Sequence, residues 1–292
     1  MNERVPAPRW ENRLLAIVAW GAVLAVFAPS LLWLGQATWQ TNQLRDAAVV
    51  LAFALVFLLR DRPGRMEWKM EFTPLASTYL GGACLLAGIG VFFRWPLAMV
   101  IALGLLAGAL LVFLFGECMS RIAAGVAAAF SGLVALAVVS PWVDLPLRLF
   151  AGRSAVDVLG FLGLDARLGF AGDPPKLILM SGGHPFEVAP ECNGFGITSS
   201  CILLSLLLAF SRRLRVTDKI LVIVLAPMIG LFSNALRILV IVLLTPVVGN
   251  RGYLIMHEAV GIVLFLATLV LVWWLVAGLP DRSETQTKSA IS

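Results

Sequence analysis

Long apolar runs separated by short polar breaks dominate this chain. A helix needs about 20 such residues to cross a hydrocarbon core of about 30 Å. Seven runs reach or approach that length, over 14–34, 74–93, 95–115, 122–142, 194–211, 220–244 and 259–278. An eighth, near 44–60, holds only 13 uninterrupted apolar residues between Asp46 and Arg60. It must recruit Asn42 to Arg45 or cross as a short span. The pattern predicts an all-α integral membrane protein with about eight transmembrane helices. Pro29, Gly81, Gly82, Gly104 and Pro227 fall inside the runs, where membrane helices tolerate them and small residues permit close helix contact.

One sizeable segment, 143–193, lies between the fifth and sixth runs. Its first half, Asp144 to Leu164, mixes Leu, Val and Phe with Arg148, Arg153 and Asp157, which predicts a helix lying along the membrane interface. Its second half reads as a β-hairpin. Lys176 to Met180 and Pro185 to Ala189 are short, mainly apolar stretches around Ser181-Gly182-Gly183-His184, and paired glycines supply the turn. The hairpin ends immediately before Glu191-Cys192. Residues 1–280 are expected to form a single polytopic membrane domain, with its second half over 180–278. The polar tail 281–292 is expected to be a disordered cytoplasmic extension.

Composition sharpens this picture. Of 292 residues, 60% are hydrophobic and 13% charged, against a usual charged share of about 25%. That excludes a soluble fold, a disulfide-stapled secreted domain, a disordered protein and a conventional nucleic-acid binder. The formal charge of +5 reports topology and contact with anionic lipid rather than an acidic ligand. With eight spans both ends share one side. The segments on that side carry 14 Lys and Arg against 7 on the other, so the positive-inside rule predicts cytoplasmic termini and a multi-pass cell-membrane protein. The apolar run after Arg13 exceeds a signal-peptide core and is read as a retained span. The four cysteines, Cys84, Cys118, Cys192 and Cys201, form no CxxC pair and have no histidine at metal spacing, so neither a metal nor a cofactor is expected.

Three residues are costly or unusual where they lie. Cys192, in Pro190-Glu-Cys-Asn-Gly-Phe-Gly196, sits at the start of the sixth helix, where the positive end of the helix dipole favours the nucleophilic thiolate. The neighbouring Glu191 opposes that effect unless it meets a cation or positions a partner. Arg237, in Ser233-Asn-Ala-Leu-Arg-Ile238, is the only charged residue within the seventh run. Placing arginine at mid-membrane costs about 2.5–3.5 kcal/mol, so such a residue faces a polar cavity. Asn234 shares its helical face. His257, in Met256-His-Glu-Ala-Val-Gly261, lies at the outer mouth of the eighth span. The other histidine, His184, belongs to the hairpin. Hydropathy and loop charge therefore place Cys192, Arg237 and His257 in the same outer half of the membrane. A cysteine nucleophile needs a base or ion-pair partner, and the oxyanion of acyl transfer needs a donor. Glu191, Asn193, Asn234 and His184 are the expected substrate-binding groups. Against this stand readings in which Cys192 is structural, Arg237 neutralises Glu191 or Asp157, and His257 is an interfacial packing residue. Glu117-Cys118 beside Arg121 reads as a solvated helix end, and Arg212, Arg213 and Arg215 as lipid-facing cations.

The blocks Pro190-Glu-Cys192-Asn-Gly194, Asn234-Ala-Leu-Arg237-Ile238 and His257-Glu-Ala-Val-Gly261 resemble the ordered Cys, Arg and His blocks of the exosortase/archaeosortase family. The resemblance covers about 180–278, and the N-terminal half matches in general hydrophobic character. It departs at Asn193, where the family often carries Ser or Thr. The resemblance implies a membrane cysteine protease or transpeptidase with Cys192 as nucleophile and Arg237 and His257 completing the site. Its substrates would be membrane-anchored exported proteins with a C-terminal sorting signal, cleaved before the signal's helix. A lipid or glycan acceptor, or water, would take the new C-terminus. The alternative is a polytopic transporter or channel in which Arg237 binds an anion. A lipid-linked acyltransferase using the same thiol and a purely structural subunit are further readings.

Overall fold

The computed structural model describes residues 9–60, 68–173, 175–188 and 193–280, without the side chains of 9–13, 15, 184 and 245–256. Glu191, Cys192 and the tail 281–292, predicted to be disordered, lie outside the described residues. The helices are α1 Arg9–Gln40, α2 Asn42–Arg60, α3 Pro74–Phe92, α4 Pro96–Phe115, α5 Ser120–Phe161, α6 Phe195–Ser211 and α7 Val216–Ala277. Seven helical stretches among the described residues are long and apolar enough to cross a membrane. The remaining predicted span is α6, whose 17 residues stand at the short end of what a bilayer accepts. The protein is a multi-pass, all-α membrane protein carrying one small sheet.

The weakest predicted span forms as its length required. Leu44 and Arg45 donate backbone N–H groups to Thr41, so α2 starts at Asn42 and draws polar residues 42–46 into its first turn. Helix α3 opens with Thr73 capping the N–H of Ala76 at 3.2 Å and Pro74 following it. Proline fits there because its missing N–H would have no intrahelical partner.

Helix α7 carries one helical assignment across 62 residues, yet it cannot be straight. Arg237 and His257 would be about 30 Å apart in a rod at 1.5 Å per residue, whereas their side chains meet at 3.2 Å. Thr268 Oγ1 likewise lies 2.6 Å from Ser233 Oγ. The chain therefore folds back between Leu244 and His257, giving two antiparallel legs, Val216–Leu244 and His257–Ala277.

The predicted interfacial helix is helical, but it is not separate from the fifth span. It is the second half of the continuous 42-residue α5, despite Pro141 and Pro146. Proline 141 cannot donate to Ala137 O, and the Ser140 hydroxyl donates to that carbonyl instead at 3.2 Å. This satisfaction of a freed carbonyl is what lets a membrane helix carry proline.

Beyond α5 lies an antiparallel meander of β1 Ala166–Ala171, β2 Lys176–Ser181 and β3 His184–Glu187, in that order. The predicted hairpin is β2 and β3, with Ser181 opposite His184 across Gly182-Gly183. Both glycines have positive φ, 54° and 80°, the signature of the two-residue turn that matches strand twist. Sequence reading missed β1, whose alternation is weak because only Ala166 and Leu168 are even partly covered. Leu177, Leu179 and Val188 bury themselves against Ala151, Ala155 and Leu159 of α5 and Ile238 and Val242 of α7. The sheet thus roofs the end of the bundle where α6 begins and α7 turns back.

Small residues bring the bundle's backbones close. Gly104 faces Ser131 and the Ala127 carbonyl, Gly125 faces Ser211 and the Leu207 carbonyl, and a side chain on Gly230 would meet Thr198 Cα at 2.8 Å. Association in lipid depends on this contact, because apolar burial provides little drive between helices already in hydrocarbon.

Candidate active site

The two legs of α7 carry the central pair. Arg237 Nη2 lies 3.2 Å from His257 Nε2. Arginine has only donors, so Nε2 accepts and the neutral imidazole carries its proton on Nδ1 in this geometry. Gly261, one turn beyond His257, makes the approach possible. A side chain there would meet Arg237 Nη2 at 2.9 Å, Cζ at 3.0 Å and Nε at 3.1 Å. Three nearly equal distances mean that the guanidinium lies flat across the bare backbone of the second leg. Both Arg237 and His257 are half-buried.

Asn234 projects from the Arg237 leg toward the start of α6. Gly194 has φ 78°, and a side chain there would meet the Asn234 amide at 2.8 Å, so glycine is required both by conformation and by space. Asn193, 2% exposed, accepts the Phe195 N–H on its Oδ1 at 2.7 Å. An asparagine turn therefore leads into α6, whose N-cap position is Gly194. The Asn193 Nδ2 donates to Asp144 Oδ1 at 2.6 Å and to Gln43 Oε1 at 3.4 Å.

These groups surround a cavity of about 220 Å³. It is lined by Asn42, Gln43 and Asp46 of α2, Gly194, Gly196 and Ile197 at α6, Ser233, Asn234 and Arg237 of the first leg, and Gly261, Leu264 and Phe265 of the second. His257 lies on its other side, in a crevice with Leu179, Phe186, Glu187 and Val188 of the sheet and Ile238, Ile241 and Val242 of α7. The Arg237–His257 contact thus stands between a polar cavity and the edge strand β3.

Of the residues picked out in the sequence, Arg237, His257 and Asn234 come together here, and Asn193 packs at the cavity's α6 end. Cys192 and Glu191, immediately before Asn193, lie outside the described residues. The backbone of His184 is at the hairpin turn, about 10 Å along the strand from Glu187 at 3.3 Å per residue; its side chain is not described. Sequence reading missed the α2 contribution. Asn42 and Gln43 count there only as length for a short span and Asp46 only as the edge of its apolar run, yet polar residues drawn into an apolar helix are themselves a signal of a polar cavity. Asp144 was read as interfacial, although it reaches Asn193. Among the described residues no His, Cys, Asp and Glu cluster has metal-binding geometry.

What the arrangement can do is acyl chemistry: an unprotonated imidazole nitrogen, a fixed cationic donor and amide side chains gather at one cavity. No curated protein and no solved structure matches the chain. A family model described as transmembrane exosortase (Exosortase_EpsH) matches residues 20–274, which extends the likeness from the three catalytic-half blocks into the N-terminal helices. The chain belongs to the transmembrane exosortase family, multi-pass membrane proteins of protease or transpeptidase type.

Proposed function

We propose that this protein is a cysteine peptidase or transpeptidase of the cell membrane, acting on exported proteins that carry a C-terminal sorting signal. The observation that carries the reading is the Arg237–His257 contact, beside a cavity that Gly194 also lines, two positions after Cys192 in the chain. The Cys192 sulfur attacks the substrate carbonyl carbon, and the thiol proton passes to His257 Nε2. As the oxyanion develops, an Arg237 N–H leaves the imidazole for that oxygen, which frees Nε2 to receive the proton. The C–N bond then breaks, His257 returns the proton to the departing amine, and a thioester on Cys192 remains. A hydroxyl or amine of a lipid or glycan acceptor, or water, attacks the thioester and releases the thiol.

The substrate's recognition peptide runs along the open edge of β3 by strand addition, toward the crevice that holds His257. Its apolar helix sits in the membrane between α2 and the second leg of α7, two of the walls of the cavity. Asn234, Asn193, Glu191 and His184 contact the peptide. The active site faces the exterior, with both termini of the chain cytoplasmic.

Intact-mass spectrometry of a co-expressed candidate substrate tests this. The substrate ends in a short motif, an apolar helix and an Arg cluster, and is measured with the native enzyme, Cys192→Ala and Arg237→Ala. Native enzyme yields a product truncated just before the helix, with or without an added group, and both variants leave substrate at full length. Cleavage that survives Cys192→Ala while Arg237→Ala abolishes function would replace this reading with the anion-transport alternative.

A further inference from the structure

One side-chain amide joins three helices beside the site. Asn193 Oδ1 already accepts the N–H of Phe195, the first residue of α6, at 2.7 Å, a local turn that needs nothing from the other end of the amide. Its Nδ2 nevertheless bonds to Asp144 Oδ1 of α5 at 2.6 Å and to Gln43 Oε1 of α2 at 3.4 Å. The other Asp144 oxygen is held by Arg148, one turn further along α5, in a pair whose side chains are only 33% and 22% exposed. The contact from Asn193 to Asp144 is therefore charge-assisted, and an arginine fixes its acceptor. Such bonds are about twice as strong as neutral ones. Together they lock both the rotation of the amide and the path of the chain entering α6.

We propose that Asp144, clamped by Arg148 and assisted by Gln43, is a positioning residue. Acting through Asn193, it fixes the start of α6 relative to the Arg237–His257 pair. This inference rests on the reading of Cys192 as nucleophile. It assigns function to three residues, Gln43 of α2 and Asp144 and Arg148 of α5, that lie on neither leg of α7. The prolines at 141 and 146 bracket Asp144, so the acceptor is presented from the stretch of α5 where backbone carbonyls lose their usual donors.

The test compares full-length enzyme in native membranes, with substrate cleavage normalised to folded protein. The variants are Cys192→Ala, Asn193→Ala, Asp144→Ala, Asp144→Asn and the double Asp144→Ala/Asn193→Ala. Misplacement of a reacting group by about 1 Å costs about a hundredfold in rate, so Asn193→Ala and Asp144→Ala should each lose about tenfold to a hundredfold, whereas Cys192→Ala should leave the substrate uncut. Asp144→Asn keeps an oxygen facing Asn193 and should retain more activity than Asp144→Ala. The double variant should be no slower than Asn193→Ala alone by more than about twofold, because both changes break one linkage. Unchanged cleavage per folded molecule in Asp144→Ala, or losses that multiply in the double variant, would overturn the positioning role. Cleavage retained by Cys192→Ala would instead overturn the reading of the nucleophile, and with it this inference.

Discussion

At the residue scale the fold makes room for one cationic side chain. Arg237 is held by close approach on two sides: its guanidinium lies on Gly261, and one of its N–H groups meets His257. Gly261→Ala would put a methyl within about 3 Å of the guanidinium, which the flexible arginine end can escape only by leaving His257. Cleavage should fall about tenfold to a hundredfold while the melting temperature of the solubilised protein stays within a few degrees. Gly194→Ala should behave differently. Its positive φ adds about 1–2 kcal/mol of backbone strain to the collision with Asn234, so both thermal stability and activity should drop. Arg237 and His257 were legible in the sequence because an intramembrane arginine and a scarce histidine are costly or rare. Gly261 was visible only as the end of a motif. Its purpose depends on a contact across 24 positions of the chain, and no local pattern encodes that.

At the element scale, apolar run length found nearly every helix, since lipid leaves little alternative for a long apolar segment. It missed what depends on pairing. Strand β1 is mostly exposed and carries little alternation. The interfacial helix expected over Asp144 to Leu164 is instead continuous with the fifth span, because the Ser140 hydroxyl takes up the carbonyl that Pro141 leaves without a donor, which periodicity does not show. The hairpin was legible because Gly182-Gly183 must supply positive φ. The α2 contribution to the site was misread as span length, because hydropathy sums residues without asking which way they face. The sheet's hold on the bundle rests on Leu179, fully buried against α5 and α7. Leu179→Ala should cost about 2–5 kcal/mol of local stability, as large-to-small core changes do. Hydrogen exchange should then rise in β2 and β3 while the α4 and α5 contact stays protected. Equal protection of the sheet in the variant would mean that it is held elsewhere.

At the scale of the whole molecule, the sheet, the α7 turn and the start of α6 share one end of the bundle, and the Arg237–His257 pair lies just below them. In the topology proposed here that end faces the exterior. Reporter fusions after Arg94 and at the C-terminus should therefore report exterior and cytoplasmic locations, respectively; a cytoplasmic signal at Arg94 would invert the topology. The central claim is that Arg237 and His257 serve one thiol as a single unit. Its most direct measurement is the cleavage rate of one co-expressed substrate by Arg237→Ala, His257→Ala and the double variant, each normalised to folded enzyme. Groups that act together give strongly non-additive losses, so each single variant should fall about a hundredfold or more and the double variant should lie within a few-fold of the slower single. A double variant slowed by the product of the two single losses, or a single variant that cleaves at the native rate, would contradict the account.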